Sequence, residues 1–342
     1  MPNPTLTRAI DAVAAGRDLS TDEAAEVLRE VMSDNASEVE IAGLLIGLRA
    51  KGETVAELAG LARTMREMST RVPATDPEDL LDTAGTGGGR PTFNVSTTAA
   101  LIAAAAGCRV AKHGNRSATS LSGSADLLEA LGARIDLAPE QVATCIADVG
   151  FGFMFAPAHH AATRFVVPVR KELAVRTIFN FLGPLTNPAG AARQVIGVSD
   201  PAFLETMAGA LAALGARRAL VVSSEDGMDE LSTSAPTHVV EVDGGRIARY
   251  DLAPEEMGLA RASVTTVGGT PEENAATTRA IFAAETGPAR DLAALNAGAA
   301  IYAAGRAQSV EAGVRAAEKA IDEGAAADTL ERFVARTRDL VG

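Results

Sequence analysis

The sequence predicts an α/β protein in which a small helical domain precedes a larger α/β domain with a mainly parallel central sheet. The amino-terminal part of the chain has only helical patterns, whereas the chain from residue 80 onward alternates short apolar runs with helical segments. That alternation is typical of right-handed βαβ units. A length of 342 residues exceeds one ordinary core and favours two domains.

The amino-acid composition disfavours two classes of binding partner. The net charge of -13 argues against nucleic acid or an acidic membrane as a general partner. Cys108 and Cys145 both lie in apolar surroundings, which favours buried thiols in a reducing compartment over a disulfide. The start Met-Pro-Asn-Pro has no basic-then-apolar leader, and no apolar run is long enough to span a membrane. We therefore expect a cytoplasmic protein without a membrane segment.

The first domain is predicted to be a helical bundle over residues 1–71. Three capping boxes begin its helices, formed by Ser20 with Glu23, Ser37 with Glu40, and Thr54 with Glu57. The helix around residues 40–48 is apolar on nearly every face, so its surface must be covered. A subunit contact in a homodimer would cover it, and burial within the chain would do so equally well.

The second domain is predicted to span residues 72–342. Its expected parallel strands lie at 80–84, 109–111, 152–155, 195–198 and 219–223, and the helices between them at 97–106, 125–131, 139–149 and 201–214. Alternating residues on either side of Asp243-Gly244-Gly245 predict an antiparallel hairpin, and a capping box at Thr270 begins a helical tail. Residues 159–190 interrupt this rhythm with a predicted helix at 159–174 and two proline turns. We expect this insertion to join the small domain.

The glycine-rich loop at residues 85–89 follows a predicted strand and precedes a helix that begins near Asn94, Ser96 and Thr97. Glycine clusters often form ordinary turns. Here, side-chain donors join the free N–H groups of a helix start, which is a typical anion site. The spacing matches neither the dinucleotide fingerprint nor the phosphate loop of nucleotide hydrolases. The loop is therefore predicted to bind phosphate.

A second polar loop, Lys112-His113-Gly114-Asn115-Arg116, follows the next strand. It could be a solvated surface loop, but it leaves a buried strand toward the glycine-rich loop. Lys112 and Arg116 suit the charge of phosphate, whereas His113 and Asn115 suit a compact polar substrate. The hydroxyl side chains that follow exceed what the cap of the next helix needs, namely Ser117, Thr119, Ser120, Ser122 and Ser124.

Asp229 and Glu230 follow the strand at 219–223, so they are expected at the same edge of the sheet. Adjacent acids are usually surface charges, but beside a phosphate site they are the hard oxygen ligands that Mg²⁺ prefers. The cysteines and histidines have no zinc spacing. No arrangement for nucleophilic catalysis is evident, and no catalytic residue is predicted.

Four motifs, in this order along the chain, are GTGGG with TFNVST, KHGNRSATS with SGSAD, PVRKELAVRTIFNFLGPLTNP, and DGMDE. Together they resemble anthranilate phosphoribosyltransferases, the tryptophan-pathway members of the nucleoside phosphorylase-like phosphoribosyltransferases. The resemblance implies transfer of the phosphoribosyl group of phosphoribosyl pyrophosphate to the amine of anthranilate, giving N-(5-phosphoribosyl)anthranilate and pyrophosphate. It also implies a Mg²⁺-dependent homodimer that closes around a hinge.

The resemblance further implies roles for individual residues. Anthranilate would contact Gly85, His113, Asn115 and Arg170, and Mg²⁺ would be held by Ser96, Asp229 and Glu230. The residues implied to hold phosphoribosyl pyrophosphate are Gly85, Gly88, Gly89, Thr92, Asn94, Val95, Ser96, Thr97, Lys112, His113, Gly114, Asn115, Arg116, Ser117, Ala118, Thr119, Ser120 and Ser124.

One segment departs from the family pattern. The family usually has Asp after Gly-Thr-Gly-Gly and a loop one residue longer, whereas Gly89, Arg90 and Pro91 stand here.

There are two alternative functions. A nucleoside phosphorylase would share the fold, although Arg170 and the second polar loop favour a carboxylated aromatic acceptor. A nucleic-acid-binding relative would need a basic face, which the acidic composition disfavours.

Overall fold

The computed structural model describes residues 2–117, 120–263 and 268–341. Ala118 and Thr119, both among the implied phosphate contacts, lie outside the described residues. The chain begins with four helices: α1 (Pro4–Ala14), α2 (Thr21–Met32), α3 (Glu38–Lys51) and α4 (Val55–Glu67). All three predicted capping boxes are present at the starts of α2, α3 and α4.

A seven-stranded mixed sheet forms the centre of the molecule. Its strands are β1 (Leu80–Gly85), β2 (Arg109–Gly114), β3 (Phe151–Phe155), β4 (Arg193–Gly197), β5 (Arg218–Ser224), β6 (Thr237–Asp243) and β7 (Arg246–Leu252). The spatial order is β3-β2-β1-β4-β5-β6-β7. The first five strands in this order are parallel, and β6 and β7 form the predicted antiparallel hairpin. The predicted fold class is confirmed.

Helices cover both faces of the sheet. In chain order they are α5 (Val95–Ala105), α6 (Ser124–Ala130), α7 (Pro139–Val149), α8 (Ala156–His159), α9 (Val167–Leu173), α10 (Phe179–Leu182), α11 (Leu204–Ala213), α12 (Pro271–Phe282), α13 (Pro288–Ala303), α14 (Val310–Asp322) and α15 (Ala325–Val341). Thr270 begins α12 with the predicted capping box. In the described part of the chain, none of these helices is long and apolar enough to cross a membrane.

The insertion differs from its prediction. The single helix expected at 159–174 is wrong, because the chain forms α8, a 3-10 turn over Ala161–Phe165 and then α9. His160 has ψ of 51°, which is not helical, and Pro168 has no N–H with which to continue a helix from the preceding turn. Short helices therefore replace one long helix here.

The second difference concerns β2. It was predicted to end at residue 111, but it continues to Gly114, and its residues 110–114 pair in register with β3. Lys112 and His113 are therefore strand residues with buried side chains rather than members of a polar loop. The loop proper begins at Asn115.

Two buried apolar clusters divide the interior. The first fills one face of the sheet beneath α5, α13, α14 and α15. The second joins α1 to α4 with residues 166–185 of the insertion and with the other face of the sheet at β4, β5 and β6. The insertion thus packs against the amino-terminal helices, although the division into two domains stays a prediction.

α3 has one buried and one open face. Ile41, Leu44 and Leu48 are buried, and the helix packs on α1 and α9. Val39 is 81% exposed and Ile46 is 40% exposed. Burial within the chain therefore covers only part of this apolar helix.

A tyrosine pair joins the hairpin to α13. Tyr250 of β7 and Tyr302 of α13 each donate a hydrogen bond of 2.8 Å to one carboxylate, that of Glu241 on β6. The guanidinium of Arg218 lies 4.9 Å from the ring centre of Tyr302. Tyr250 and Tyr302 are the only tyrosines in the chain, which has no tryptophan.

Candidate active site

A cleft opens at the carboxyl ends of β1, β4 and β5, where ligands bind in open α/β sheets. It comprises about 410 Å³ of space without protein atoms, part of which is open to solvent. Its walls are formed by Thr83, Ala84, Gly85, Ser96, Ala99, Val195, Gly197, Val222, Asp229, Glu230 and Asn296. Polar atoms and apolar strand residues thus share this cleft, as in a site for a small polar ligand.

The glycine-rich loop lies directly against Asp229. The Gly87 N–H donates a hydrogen bond of 3.0 Å to Asp229 Oδ2. A Cβ atom added at Gly89 would lie 2.5 Å from Asp229 Oδ1 and 2.8 Å from the Asp229 backbone nitrogen. At Gly197 the added Cβ would lie 1.5 Å from the carbonyl oxygen of Asp229. The close approach of Asp229 to the glycine-rich loop and to the end of β4 therefore requires glycine at both positions.

Arg90 bonds the glycine-rich loop to the segment after β5. Its backbone N–H donates to the carbonyl oxygen of Gly227 at 2.7 Å, and its guanidinium forms an ion pair with Asp226 at 3.2 Å. A further guanidinium nitrogen lies 3.2 Å from Met228 Sδ. The residue that departs from the family pattern thus connects the glycine-rich loop to the segment that precedes Asp229.

The two carboxylates share an enclosed position. Thr92 Oγ1 donates to Glu230 Oε2 at 3.1 Å. Burial raises the pKa of Asp229, and burial together with the neighbouring Asp229 charge raises the pKa of Glu230 well above its usual range. A divalent cation would relieve this unfavourable pairing of like charges, so the donor set fits Mg²⁺. No cluster of three or more His, Cys, Asp or Glu ligands occurs among the described residues.

Lys112 lies beneath the cleft. It is 1% exposed, and its Nζ donates to the carbonyl oxygen of Thr83, to Thr83 Oγ1 at 3.2 Å and to Ser96 Oγ at 3.3 Å. Burial lowers the pKa of Lys112 to about 8 and raises the pKa of the buried Asp82 to about 6. The ammonium group of Lys112 is thus not exposed in the cleft, and it contacts the cleft-lining residue Ser96 by a hydrogen bond.

His113 belongs to a buried histidine group. Its Nδ1 lies 3.3 Å from the carbonyl oxygen of Gly183, and its ring centre lies 5.1 Å from that of His160. Burial lowers the pKa of His113 to about 3 and that of His160 to about 4, so both rings are neutral at neutral pH. A neutral imidazole can line the path of an acceptor but carries no charge for phosphate.

The loop after β2 is organised by acidic residues of α6. Arg116, which was predicted to bind phosphate, forms ion pairs with Asp126 at 2.7 Å and with Glu129 at 2.5 Å. Asp126 also accepts the N–H groups of Gly123 at 2.8 Å and Ser117 at 3.3 Å. Arg116 is therefore placed to shape the loop, and its role toward phosphate stays a prediction that this geometry does not favour.

Asn94 connects three segments at the start of α5. Its Nδ2 donates to the carbonyl oxygen of Ser122 at 3.0 Å, while its Oδ1 accepts from Ser122 Oγ and Asn274 Nδ2, both at 2.9 Å. Both ends of this amide are therefore hydrogen-bonded within the protein. Asn94 thus positions Ser122, in the loop after β2, against α5 and α12.

The insertion contributes two arginines. Arg170 of α9 has its guanidinium carbon 5.7 Å from the ring centre of Phe179, and no carboxylate among the described residues forms an ion pair with it. Arg176, which the sequence analysis did not single out, donates to the carbonyl oxygen of Gly87 at 2.6 Å. The insertion thus reaches the glycine-rich loop through Arg176 and leaves Arg170 without an acidic partner.

Some of the predicted residues line the cleft, and others lie in the loops beside it. Gly85, Ser96, Asp229 and Glu230 line the cleft. Gly88, Gly89 and Thr92 lie in the loop against the two acids, Val95 and Thr97 are buried at the start of α5, and Gly114, Asn115, Ser117, Ser120 and Ser124 lie in or beside the loop after β2. Four residues that position these groups were not predicted from the sequence, namely Asp126, Arg176, Asn274 and Asn296, the last of which accepts the Leu231 N–H at 3.0 Å. Only their contacts across the fold distinguish them from ordinary polar residues.

Comparisons with known proteins identify the family of the chain. The helical bundle domain of the glycosyl transferase family matches residues 7–69, and the a/b domain of that family matches residues 77–327. The chain is 52% identical to the anthranilate phosphoribosyltransferase of Rubrobacter xylanophilus, over 98% of this chain and 99% of the relative. It is 51% identical to the enzyme of the same name from Alkalilimnicola ehrlichii, over 97% and 98%.

The chain belongs to the anthranilate phosphoribosyltransferase family. Solved structures of the family share its fold. The structure from Thermus thermophilus has a TM-score of 0.91 and 49% identity, over 96% of this chain and 99% of that chain. The structure from Saccharomyces cerevisiae, in complex with PRPP and Mg, has a TM-score of 0.88 and 27% identity, over 98% of both chains. A second yeast structure contains 4-fluoroanthranilate, with a TM-score of 0.87 and 26% identity, again over 98% of both chains.

Proposed function

We propose that the protein transfers the phosphoribosyl group of phosphoribosyl pyrophosphate to the amine of anthranilate, the second step of tryptophan biosynthesis from chorismate. Curated relatives with this activity match almost the whole chain at about half identity. The observation that carries the proposal is the placement of Asp229 and Glu230 against the glycine-rich loop, beside Ser96 at the start of α5. This arrangement suits a pyrophosphate leaving group held with a divalent cation.

The proposed reaction is a displacement at the anomeric carbon. The anthranilate amine attacks this carbon, the bond to pyrophosphate breaks, and the amine loses a proton to solvent. Pyrophosphate departs as a stable anion, so the chain does not need a general acid. Its contribution is to orient the two substrates and to present N–H donors of the glycine-rich loop to the leaving group.

Mg²⁺ is the proposed cofactor, held by Asp229, Glu230 and Ser96. The yeast relative's structure in complex with PRPP and Mg supports this assignment. When bound, the ion would neutralise charge on the pyrophosphate. Glu230 is held by Thr92 Oγ1 and Asp229 by the Gly87 N–H, so both carboxylates are oriented before any ion arrives.

The proposed acceptor site uses Arg170 together with Gly85, His113 and Asn115. Arg170 is partly buried without an acidic partner among the described residues, which leaves its guanidinium available for the carboxylate of anthranilate. The yeast structure with 4-fluoroanthranilate supports an aromatic acid as the acceptor. A neutral, buried His113 suits contact with an aromatic ring better than contact with phosphate.

The proposed assembly is a homodimer through the helical domain, formed by the open face of α3 around Val39 and Ile46. A reducing compartment, the cytoplasm, is proposed because both cysteines are free and buried. These two assignments are independent of the reaction.

The decisive experiment measures the fluorescence of anthranilate in a mixture with the purified protein. Signal should fall when the enzyme, magnesium and phosphoribosyl pyrophosphate are mixed, and omission of any one of the three should prevent the fall. Unchanged fluorescence with folded protein would reject the assignment. Phosphorolysis of thymidine or uridine would instead support a nucleoside phosphorylase, and salt-sensitive binding of single-stranded DNA would support a nucleic-acid-binding protein.

A further inference from the structure

Arginines mark the amino-terminal edge of the sheet, opposite the cleft. Arg109, Arg193 and Arg218 are the first residues of β2, β4 and β5. In register, Arg109 lies beside Leu80 and Arg193 beside Leu81, while Arg193 and Arg218 are direct neighbours. A protein with a net charge of -13 thus concentrates cations along one edge of its sheet.

A second cavity opens at this edge. It comprises about 430 Å³ of space without protein atoms, part of which is open to solvent, and is lined by Arg109, Arg193, Arg306, Asp79, Cys108, Ala304 and Gly305. Three guanidinium groups therefore face one carboxylate within the lining. Arg193 forms an ion pair with this carboxylate, that of Asp79, at 3.7 Å, and Arg109 forms one with Asp76 at 3.5 Å. The charge of Arg306 has no acidic partner among the described residues. The lining is mainly polar, so it suits a hydrated ion rather than an apolar ligand.

Two of these arginines also have structural contacts. Arg193 is 8% exposed, and it donates to the carbonyl oxygens of Glu78 at 3.0 Å and Ala303 at 3.1 Å, which ties β4 to the end of α13. Arg109 donates to the carbonyl oxygen of Thr75 at 3.0 Å. The carboxyl end of a helix attracts cations, which explains Arg193 at the end of α13, and the contacts with Thr75 and Asp76 explain Arg109. They do not explain Arg306.

Arg306 follows the end of α13 and has no side-chain hydrogen bond or ion pair within the described residues. It is exposed, and only its backbone N–H is bonded, to the carbonyl oxygen of Ile301. Burial, and after it the neighbouring charges of Arg217, Arg218 and Arg306, disfavour the charged form of Arg193 and lower its pKa. A bound anion would reduce the repulsion among these arginines.

We propose that this cavity, here named the arginine pocket, binds a small tetrahedral oxyanion of the phosphate class. Guanidinium groups bind phosphate oxygens through paired N–H donors, and here they come from two strands and a helix end. Because the arginine pocket lies at the opposite edge of the sheet from the cleft, the proposal does not depend on the proposed reaction.

The test must locate the anion, because phosphate also fits the cleft. Crystals soaked in sodium tungstate, a heavy tetrahedral oxyanion, should show anomalous density between Arg193 and Arg306. Calorimetric titration with inorganic phosphate then measures affinity. Arg306→Ala should remove the density in the arginine pocket and leave any density in the cleft, and it should weaken this phosphate site by about 10- to 100-fold, as expected for loss of a charged hydrogen-bond donor.

Arg246→Ala is the matched control, because Arg246 is an exposed arginine at the start of β7. It changes net charge equally and should leave both the density and the affinity unchanged. Arg306→Glu provides a second variant that should abolish binding if Arg306→Ala proves unstable. The proposal is overturned if wild-type crystals show no tungstate in the arginine pocket, or if all variants bind phosphate equally.

Discussion

At the scale of single residues, the site is defined by what each polar side chain already contacts. Asn94 and Arg116 are engaged by partners within the protein, whereas Arg170 has no acidic partner in the described part of the chain. A side chain with unused donors can exchange water for substrate at lower cost than one that must first break internal bonds. Arg170 is therefore the stronger candidate for substrate contact.

The first prediction concerns Arg170. Arg170→Ala should reduce kcat/KM for anthranilate by roughly 30- to 150-fold, about 2 to 3 kcal/mol, because a charged hydrogen bond to the acceptor carboxylate is lost. The KM for phosphoribosyl pyrophosphate should barely change. Steady-state kinetics for each substrate and a melting curve measure these effects.

Arg164→Ala is the control within the same insertion, since Arg164 stacks on Phe165 at 4.5 Å. It should leave kcat/KM for anthranilate near the wild-type value. Equal losses for both substrates in Arg170→Ala, together with a lowered melting temperature, would show that Arg170 only stabilises the insertion through Phe179.

The second prediction concerns the two acids. Replacing Asp229 by Asn and Glu230 by Gln keeps their shape but removes the anionic ligands, so activity should collapse while the fold survives. Burial raises the pKa of both groups, so protons compete with the cation, and the magnesium concentration for half-maximal activity should rise as the pH falls. An unchanged magnesium dependence in the double variant would show that these acids do not hold the cation.

Sequence order was sufficient to place the acids and the glycine-rich loop at one edge, because both follow parallel strands. It was not sufficient for Lys112 and His113. Their burial depends on the length over which β2 pairs with β3, and that pairing is set by contacts distant in sequence. The role of Asp126 was likewise hidden, because its N–H donors come from Ser117 and Gly123 in a folded loop.

At the scale of elements, the glycine-rich loop and the segment after β5 behave as one unit. Gly87 and Arg90 of the first bond to Asp229, Asp226 and Gly227 of the second. Backbone and side-chain bonds between two loops restrict both, which orients the carboxylates before ligand binding. The short loop with Arg90 thus joins the glycine-rich loop to the segment that leads to Asp229.

The third prediction tests this connection. Arg90→Ala removes the ion pair with Asp226 but no residue of the proposed cation site, so the half-saturating magnesium concentration should rise by about 3- to 10-fold, in line with a partly buried ion pair of about 1 kcal/mol. The kcat at saturating magnesium should change less. Arg90→Lys should restore part of the affinity, and Arg246→Ala should have no effect. Unaltered magnesium dependence in Arg90→Ala would mean that Asp229 is oriented without Arg90.

At the scale of the whole molecule, the insertion, the amino-terminal helices and the sheet meet around buried histidines. His113 of β2 contacts Gly183, His160 packs beside it, and His159 Nδ1 lies 2.8 Å from the carbonyl oxygen of Thr70. All three have lowered pKa values because burial disfavours the charged ring. The folded state therefore binds fewer protons at these rings than the unfolded state does.

The fourth prediction follows from this difference. The unfolded histidines protonate near their usual pKa of 6.5, while the folded pKa is about 3 for His113 and about 4 for His160. The contribution of these rings to the free energy of unfolding is complete above pH 6.5 and is lost as the pH falls toward 4. At about pH 5 the loss should be on the order of 2 kcal/mol for each ring.

Urea unfolding of the wild type and of His160→Gln at neutral and acidic pH measures this loss. On acidification, the free energy of unfolding should fall by about 2 kcal/mol less in the variant than in the wild type. Opposite contributions, such as that from the raised pKa of Asp82, are the same in both proteins and cancel in this difference. His238→Gln is the control on a histidine outside this buried group. Equal pH dependence in wild type and His160→Gln would mean that His160 is hydrated in solution.

The tyrosine pair at Glu241 has a consequence for optical spectroscopy. With no tryptophan in the chain, ultraviolet emission of the folded protein arises from Tyr250 and Tyr302 alone among the strong fluorophores, and both report on the corner between the hairpin and α13. A tyrosine signal would therefore follow the melting of the contact between the hairpin and α13. Light absorbed and emitted by anthranilate would, conversely, be free of tryptophan background, so one sample could report substrate turnover and unfolding in two separate spectral windows.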